Sequence, residues 1–291
     1  MVETQEQMSK LRSDGPKPRL PTMTPPSPLY TPSNTIPIFR LYWSFDLFWR
    51  NPPGDASWLP ALTGALQHHN IRLLRHRFIA PTTSQFLLST RPMHSPQQTA
   101  KYLKGGLQHI IRSRYPRAFQ RNYGFRSLGS SKRKVVERYV ENQLGHHRFA
   151  DPRFEERIAG FQISNATVDL STPRTTAHSL YWYNLHLVLV NDARWREYRA
   201  ERFRIVRDSV LRIAQERDFS LSKAGILPDH LHLAMGVSSE KSPEDVAMCL
   251  MNNLAYAVGM KPVFQSGYYV TTFGEYDLGF AGEKNTIAPP A

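Results

Sequence analysis

The chain has a single cysteine, Cys249, in 291 residues. No internal disulfide can form, which excludes a stapled secreted scaffold and makes a reducing compartment the easier reading. Long apolar runs are missing as well. The best of them, 185–190, is interrupted by His186 and falls far short of the roughly 18 to 20 residues that a membrane span requires. Residues 1–34 are polar and proline-rich, without the apolar core of a signal peptide. These absences describe a soluble, cytoplasmic protein with no membrane partner. Acidic residues are also scarce: 24 Asp+Glu stand against 37 Lys+Arg, a formal charge of +13. With 41% hydrophobic and 11% aromatic residues, the chain has too much apolar surface to be wholly disordered. At about 150 residues per domain, its length suggests two domains.

The positive charge is concentrated. Charge alone suits a nucleic-acid backbone and an anionic lipid surface equally, or serves only solubility. Between 101 and 138, Lys104, Arg112, Arg114, Arg126, Lys132, Arg133 and Lys134 are the candidates for backbone contact should the partner be DNA, and a helix-like stretch over 194–217 adds eight arginines. Arginine suits bidentate phosphate contact. Tyr102, Tyr115, Phe119, Tyr123 and Phe125 lie among these charges, a mixture that suits stacking on unpaired bases and equally suits a core.

Seven prolines between 16 and 32 argue for a flexible tail over 1–34. Beyond it, strand-like aromatics over 39–49 precede an expected helix over 58–70 and apolar strands over 71–79 and 85–90. Ser95-Pro96 is an N-cap followed by a first-turn proline, starting a helix that should reach 114. Ser130 or Ser131 should cap another helix running to 144. The pattern then repeats. Pro81 and Pro228 lie 147 residues apart, and so do Ser95-Pro96 and Ser242-Pro243. NYGFRSLG (122–129) matches GYYVTTFG (267–274) at an offset of 145, and LYWSFDLFW (41–49) matches LYWYNLHLVLV (180–190). Three ordered blocks indicate an α+β unit in two copies. The expected division is a tail over 1–34, a first repeat over 35–155, a connector over 156–177, a second repeat over 178–280 and a tail over 281–291.

The second copy carries PDHLHL over 228–233. Residues two apart on a strand share a face, so His230 and His232 can offer two imidazoles to one metal ion. The same spacing also suits two hydrogen-bonded histidines on a half-exposed strand. A metallo-β-lactamase would need Asp and His next, but Leu233-Ala234-Met235 follows. No histidine lies beyond His232, so a third ligand must be a carboxylate, an amide or an upstream residue. The first copy has Thr83 and Gln85 in place of the pair. It keeps instead the segment RYVENQ, where Tyr139 and Gln143 stand one helical turn apart, a phenol and an amide oxygen on one face. Tyr139 could equally continue the apolar stripe of Val135, Val136 and Val140. At the 145 offset, the second copy has Lys284 and Ala288 at these two positions.

Together these motifs resemble the one-tyrosine HUH transposases of single-stranded insertion sequences, the REP-associated tyrosine transposases in particular. PDHLHL resembles their Pro-Asn/Asp-His-x-His-Leu metal strand, NYGFRSLG their Tyr-Phe-Val-x-Ser/Thr-x-Gly segment, and RYVENQ their Tyr-Ile-x-x-Gln nucleophile helix. A Ser-Pro helix follows the metal strand in both, and the resemblance extends over about 36–275. It implies two tandem ferredoxin-like repeats with antiparallel sheets flanked by helices. It also implies Mg²⁺ or Mn²⁺ held by His230, His232 and Gln143, and a nucleophilic Tyr139 that cleaves and rejoins single-stranded DNA through a 5′-phosphotyrosine. The DNA partner it implies has hairpin ends. The chain departs from the family in one respect: each half keeps what the other has lost. The economical expectation is a monomer acting as a fused pseudo-dimer, nucleoid-associated, with one composite site. A domesticated, non-cleaving binder of single-stranded or hairpin DNA is the main alternative. A basic scaffold that bridges two strands is the third.

Overall fold

The computed structural model describes residues 27–147, 149, 151–259, 262–276 and 278. The stretch 1–26 and the tail 281–291, with Lys284 and Ala288, lie outside them. The elements run β1 (Ile36–Arg40), β2 (Tyr42–Trp49), α1 (Leu59–Gln67), β3 (Arg72–Ala80), β4 (Thr83–Ser89), α2 (Pro96–Ile111), β5 (Phe119–Leu128) and α3 (Arg133–Glu141). Next come α4 (Pro152–Ala159), β6 (Ile163–Ser164), β7 (Arg174–Thr175), β8 (Ser179–Trp182), β9 (Asn184–Asn191) and α5 (Ala200–Glu216). The chain continues through β10 (Ser220–Ile226), β11 (His230–Gly236), α6 (Pro243–Val258) and β12 (Phe264–Phe273). The fold is mixed α+β, with two six-stranded sheets ordered β3-β4-β2-β5-β8-β7 and β1-β12-β9-β11-β10-β6.

Alternating apolar residues give each sheet a helix-covered face. Trp43, Phe45, Leu47, Phe86 and Phe125 are buried with Leu62, Leu66, Leu103 and Leu107 of α1 and α2. In the other sheet Leu187, Leu189, Leu231 and Leu233 are buried with Phe203, Val210, Leu250 and Leu254 of α5 and α6. The Ser-Pro starts act as expected. Ser95 accepts from Gln98 N at 3.1 Å, and Ser242 forms a reciprocal capping box with Asp245.

The two sheets meet through contacts that occur twice with roles exchanged. Ser127 Oγ donates to Phe273 O at 2.6 Å, and Thr272 Oγ1 donates to Leu128 O at 2.6 Å. Asn184 N donates to Ser127 Oγ, and Tyr42 N donates to Thr272 Oγ1. Gly129 and Gly274 sit where β5 and β12 cross: a Cβ on Gly129 would lie 2.6 Å from Thr272 O, and one on Gly274 would lie 2.3 Å from Ser127 O.

Three sequence expectations shift. The LYW match pairs non-equivalent elements, since Tyr42-Trp43 opens β2 with Leu41 just ahead of it, whereas Leu180-Tyr181-Trp182 lies in β8. Asp46 faces Gln85 and Val188 faces His232, so β2 and β9 correspond at an offset of 142. Second, β1 pairs in parallel with β12, and β8 with β5, so each sheet carries an edge contribution from beyond its own half. Third, α3 starts at Arg133, not after Ser130 or Ser131. Lys132 is the N-cap without a side-chain cap, and the Arg133 N–H is satisfied by Gly274 O of the other half at 2.6 Å. Within the stretch read as a tail, Tyr30 is buried. Its hydroxyl accepts from Val263 N and donates to Phe264 O.

Candidate functional site

Although α3 follows β5 in sequence, it packs on β10 and β11 of the other sheet. Its apolar contacts are Val140, fully buried with Leu170, Ala234 and Phe273, and the half-buried Val136, and its polar residues pin it down. Glu137 accepts from Ser222 and pairs with Arg133, while Glu141 accepts from Lys223 Nζ at 2.7 Å and from Ser164 Oγ at 2.8 Å. The close approach needs a glycine. A Cβ on Gly225 would lie 3.0 Å from both Val140 O and Gln143 Cγ.

This docking brings the tyrosine to the histidine strand. Tyr139 is 45% exposed and so does not continue a core stripe. Its ring centre lies 5.6 Å from that of His232 and 6.0 Å from that of His186. Gln143 follows the helix with helical backbone angles, is buried, and donates from Nε2 to Tyr139 O at 2.8 Å, which leaves Oε1 as its ligand-capable atom. Its side chain lies on Gly225, which faces His232 across β10 and β11. Tyr139, Gln143, His230 and His232 are therefore neighbours.

Both histidines of the strand are buried, with their rings 5.0 Å apart. His230 Nδ1 is bonded to Asp229 Oδ1 at 2.7 Å, and His232 Nδ1 to His186 Nε2 at 3.0 Å. With each Nδ1 occupied, Nε2 is the remaining nitrogen on both rings. Burial drives the pKa of His232 far below the ordinary histidine value, and the adjacent His186 and His230 add to this. Burial lowers His186 to about 4 and also lowers His230, where Asp229 works in the opposite direction. At neutral pH all three imidazoles are uncharged, the form a metal ligand must take. Burial works to raise Asp229, but its bonds to His230 and Arg194 outweigh that and keep it ionised. Among the described residues, no three His, Cys, Asp or Glu side chains are arranged to hold a metal ion; the Gln143 amide is the further side-chain oxygen beside the two histidines.

The corresponding edge of the first half is closed. Arg77 Nε donates to Gln85 Oε1 at 2.9 Å, and Gln85 Nε2 donates to Asp46 at 3.2 Å. Of the basic candidates, Arg112, Arg114, Lys132 and Lys134 are exposed. Lys104 donates to Gln120 O and Arg121 O and is lowered to about 8 by burial. Arg126 stacks on Trp182 and Tyr276. Arg133 is paired with Glu137 and Glu275.

Sequence reasoning missed His186, whose signal was a polar residue inside an apolar strand. His146 is exposed and His147 half-buried, and both stand beside the candidate residues. The His147 ring lies 5.2 Å from His230, and that of His146 lies 5.9 Å from Tyr139.

No family model matches the chain. No curated protein matches it either. A solved REP-associated tyrosine transposase bound to a REP hairpin is similar over 31% of this chain and 56% of its own, at 13% identity with a TM-score of 0.28. This is a distant structural relation. The chain thus spans a little over half the length of that neighbour. No helix among the described residues is long and apolar enough to cross a membrane.

Proposed function

We propose that the protein cleaves and rejoins single-stranded DNA at one composite site, with the nucleophile from the first half and the metal edge from the second. The observation that carries this reading is the placement of Tyr139, on a helix of the first half, 5.6 Å from His232 of the second. The two halves are read as tandem ferredoxin-like repeats, each βαββαβ, with strand orders β3-β4-β2-β5 and β10-β11-β9-β12 and reciprocal contacts in support. One chain would then be a fused pseudo-dimer.

The donor set is two neutral imidazoles and one amide oxygen, which can hold a divalent cation with open positions left for phosphate oxygens; its nitrogens fit Mn²⁺ better than the oxygen-preferring Mg²⁺. His230 Nε2, His232 Nε2 and Gln143 Oε1 would hold it, and its chemistry there is to polarise a scissile phosphate. Tyr139 Oη attacks phosphorus, loses its proton and forms a phosphotyrosine bond. The bond from phosphorus to the departing 3′ oxygen breaks, and that oxygen takes up a proton. The new ester retains the energy of the old one, so the 3′-hydroxyl of another strand can reverse the step and join new ends. Lys134 and Arg138, exposed on the same helix, supply positive charge for the DNA backbone.

A labelled single-stranded hairpin incubated with Mn²⁺ tests this. A covalent protein–DNA adduct is expected, absent in Tyr139→Phe and in His230→Ala. A second reading, a non-cleaving DNA binder, takes its support from the lack, among the described residues, of any three His, Cys, Asp or Glu side chains arranged to hold a metal ion. Tight binding without adduct would select it.

A further inference from the structure

The proposed metal edge works only if His232 offers a lone pair on Nε2, which depends on where its ring proton sits. His186 Nε2 and His232 Nδ1 are 3.0 Å apart, with ring planes 17° apart and both side chains buried. One proton lies between these two nitrogens. If His186 carries it, His232 keeps its own proton on Nε2 and cannot ligate. If His232 Nδ1 carries it, His186 accepts, and the His232 Nε2 lone pair is free.

We propose that His186 is the positioning residue of the metal edge: it accepts the His232 Nδ1–H, fixing the tautomer and the ring plane, as the Asp229 carboxylate does for His230. This rests on the function proposed above. The strands dictate the pairing, since Val188 faces His232 across β9 and β11, and His186, two residues earlier on β9, shares the face of Val188 and is a diagonal neighbour. A buried imidazole costs free energy unless it is hydrogen-bonded, and this one finds its partner on the candidate ligand. The other half supplies the control. At the 142 offset Ser44 stands where His186 does, and there the histidine pair is replaced by Thr83 and Gln85. The supporting histidine is absent from the half without the strand pair.

The test uses the full chain and Mn²⁺ alone. Nitrogen-15 correlation spectra of the metal-free protein should show His232 protonated on Nδ1. His186→Leu, confirmed as folded by near-UV circular dichroism, should bind Mn²⁺ about 10- to 100-fold more weakly. His186→Gln, whose Oε1 can accept from the same place, should stay within a few-fold of the wild type. A His232 proton on Nε2, or wild-type Mn²⁺ affinity in folded His186→Leu, would overturn the proposal. Should the wild type bind Mn²⁺ no better than His230→Ala does, the metal edge itself fails. The tautomer spectrum then decides the role of His186 on its own.

Discussion

Substituting Gly225 separates docking of the tyrosine helix from stability of the fold. Gly225 lies within β10 without a positive φ, so alanine suits its backbone and removes unfolded-state freedom worth about 0.4–1 kcal/mol. Against this, the new Cβ would stand 3.0 Å from Val140 O and from Gln143 Cγ, so α3 has to retreat by a few tenths of an ångström. Overpacking of this kind costs about 1–3 kcal/mol, which leaves a net loss on the order of 1 kcal/mol. The effect on chemistry should be larger. Misplacement by about 1 Å costs ~100-fold in rate, so half that displacement of Tyr139 and Gln143 costs ~10-fold. Urea unfolding measures the first quantity and the single-turnover rate of adduct formation with Mn²⁺ the second. Gly225→Val should lower the rate further although valine favours strands. Gly160→Ala, whose Cβ meets only Arg157 O at 3.8 Å, serves as the control. Adduct formation at the wild-type rate in Gly225→Val would refute the argument that this contact seats the nucleophile.

Stability should depend on pH through the buried His186 and, more weakly because solvent screens it, through the half-buried His76. Burial holds His186 and His76 at about 4, so as pH falls the unfolded chain takes up protons first. Their contribution is intact above about pH 6.5 and is lost progressively down to about pH 4, where each tenfold difference in proton affinity between the folded and unfolded chain is worth about 1.4 kcal/mol for a fully buried group. Urea midpoints that stay flat across this window would contradict the assignment. At the sheet crossing, Gly129→Ala and Gly274→Ala place a Cβ against a backbone carbonyl that cannot turn away, and each should cost more than the ~1 kcal/mol of an average substitution. Thermal melts close to wild type would contradict that. Lys134→Ala, which removes an exposed charge on the helix that carries Tyr139, should reduce the salt slope of single-stranded DNA binding by about 0.7 without altering sequence preference. An unchanged slope would place the DNA elsewhere.

Much of the site was legible because its signals are local. The two-residue spacing of His230 and His232 fixes a shared strand face, and the four-residue spacing of Tyr139 and Gln143 survives although α3 ends at Glu141, because Gln143 keeps helical angles. The offsets of 147 and 145 were readable because Ser-Pro caps and crossing glycines are tied to fixed points of the chain. The LYW register was not, since any aromatic strand matches another at several offsets. Which sheet β1 and β8 join depends on contacts between the halves that no local pattern encodes. The start of α3 shifted for the same reason, its first N–H being satisfied by Gly274 O rather than by a nearby serine. His186 was passed over as an interruption of an apolar run. Its meaning appears only when β9 is laid beside β11.

The central claim is that one chain holds one complete site built from both halves, and mixing two defective chains tests it most directly. Tyr139→Phe and His230→Ala, each inactive alone, are combined with the labelled hairpin and Mn²⁺ under conditions where the wild type, shown to be monomeric, forms its adduct. The account predicts that the mixture stays inactive, because neither chain contains both the phenol and the intact histidine edge. Restored adduct in the mixture, or adduct persisting in Tyr139→Phe alone, would contradict it.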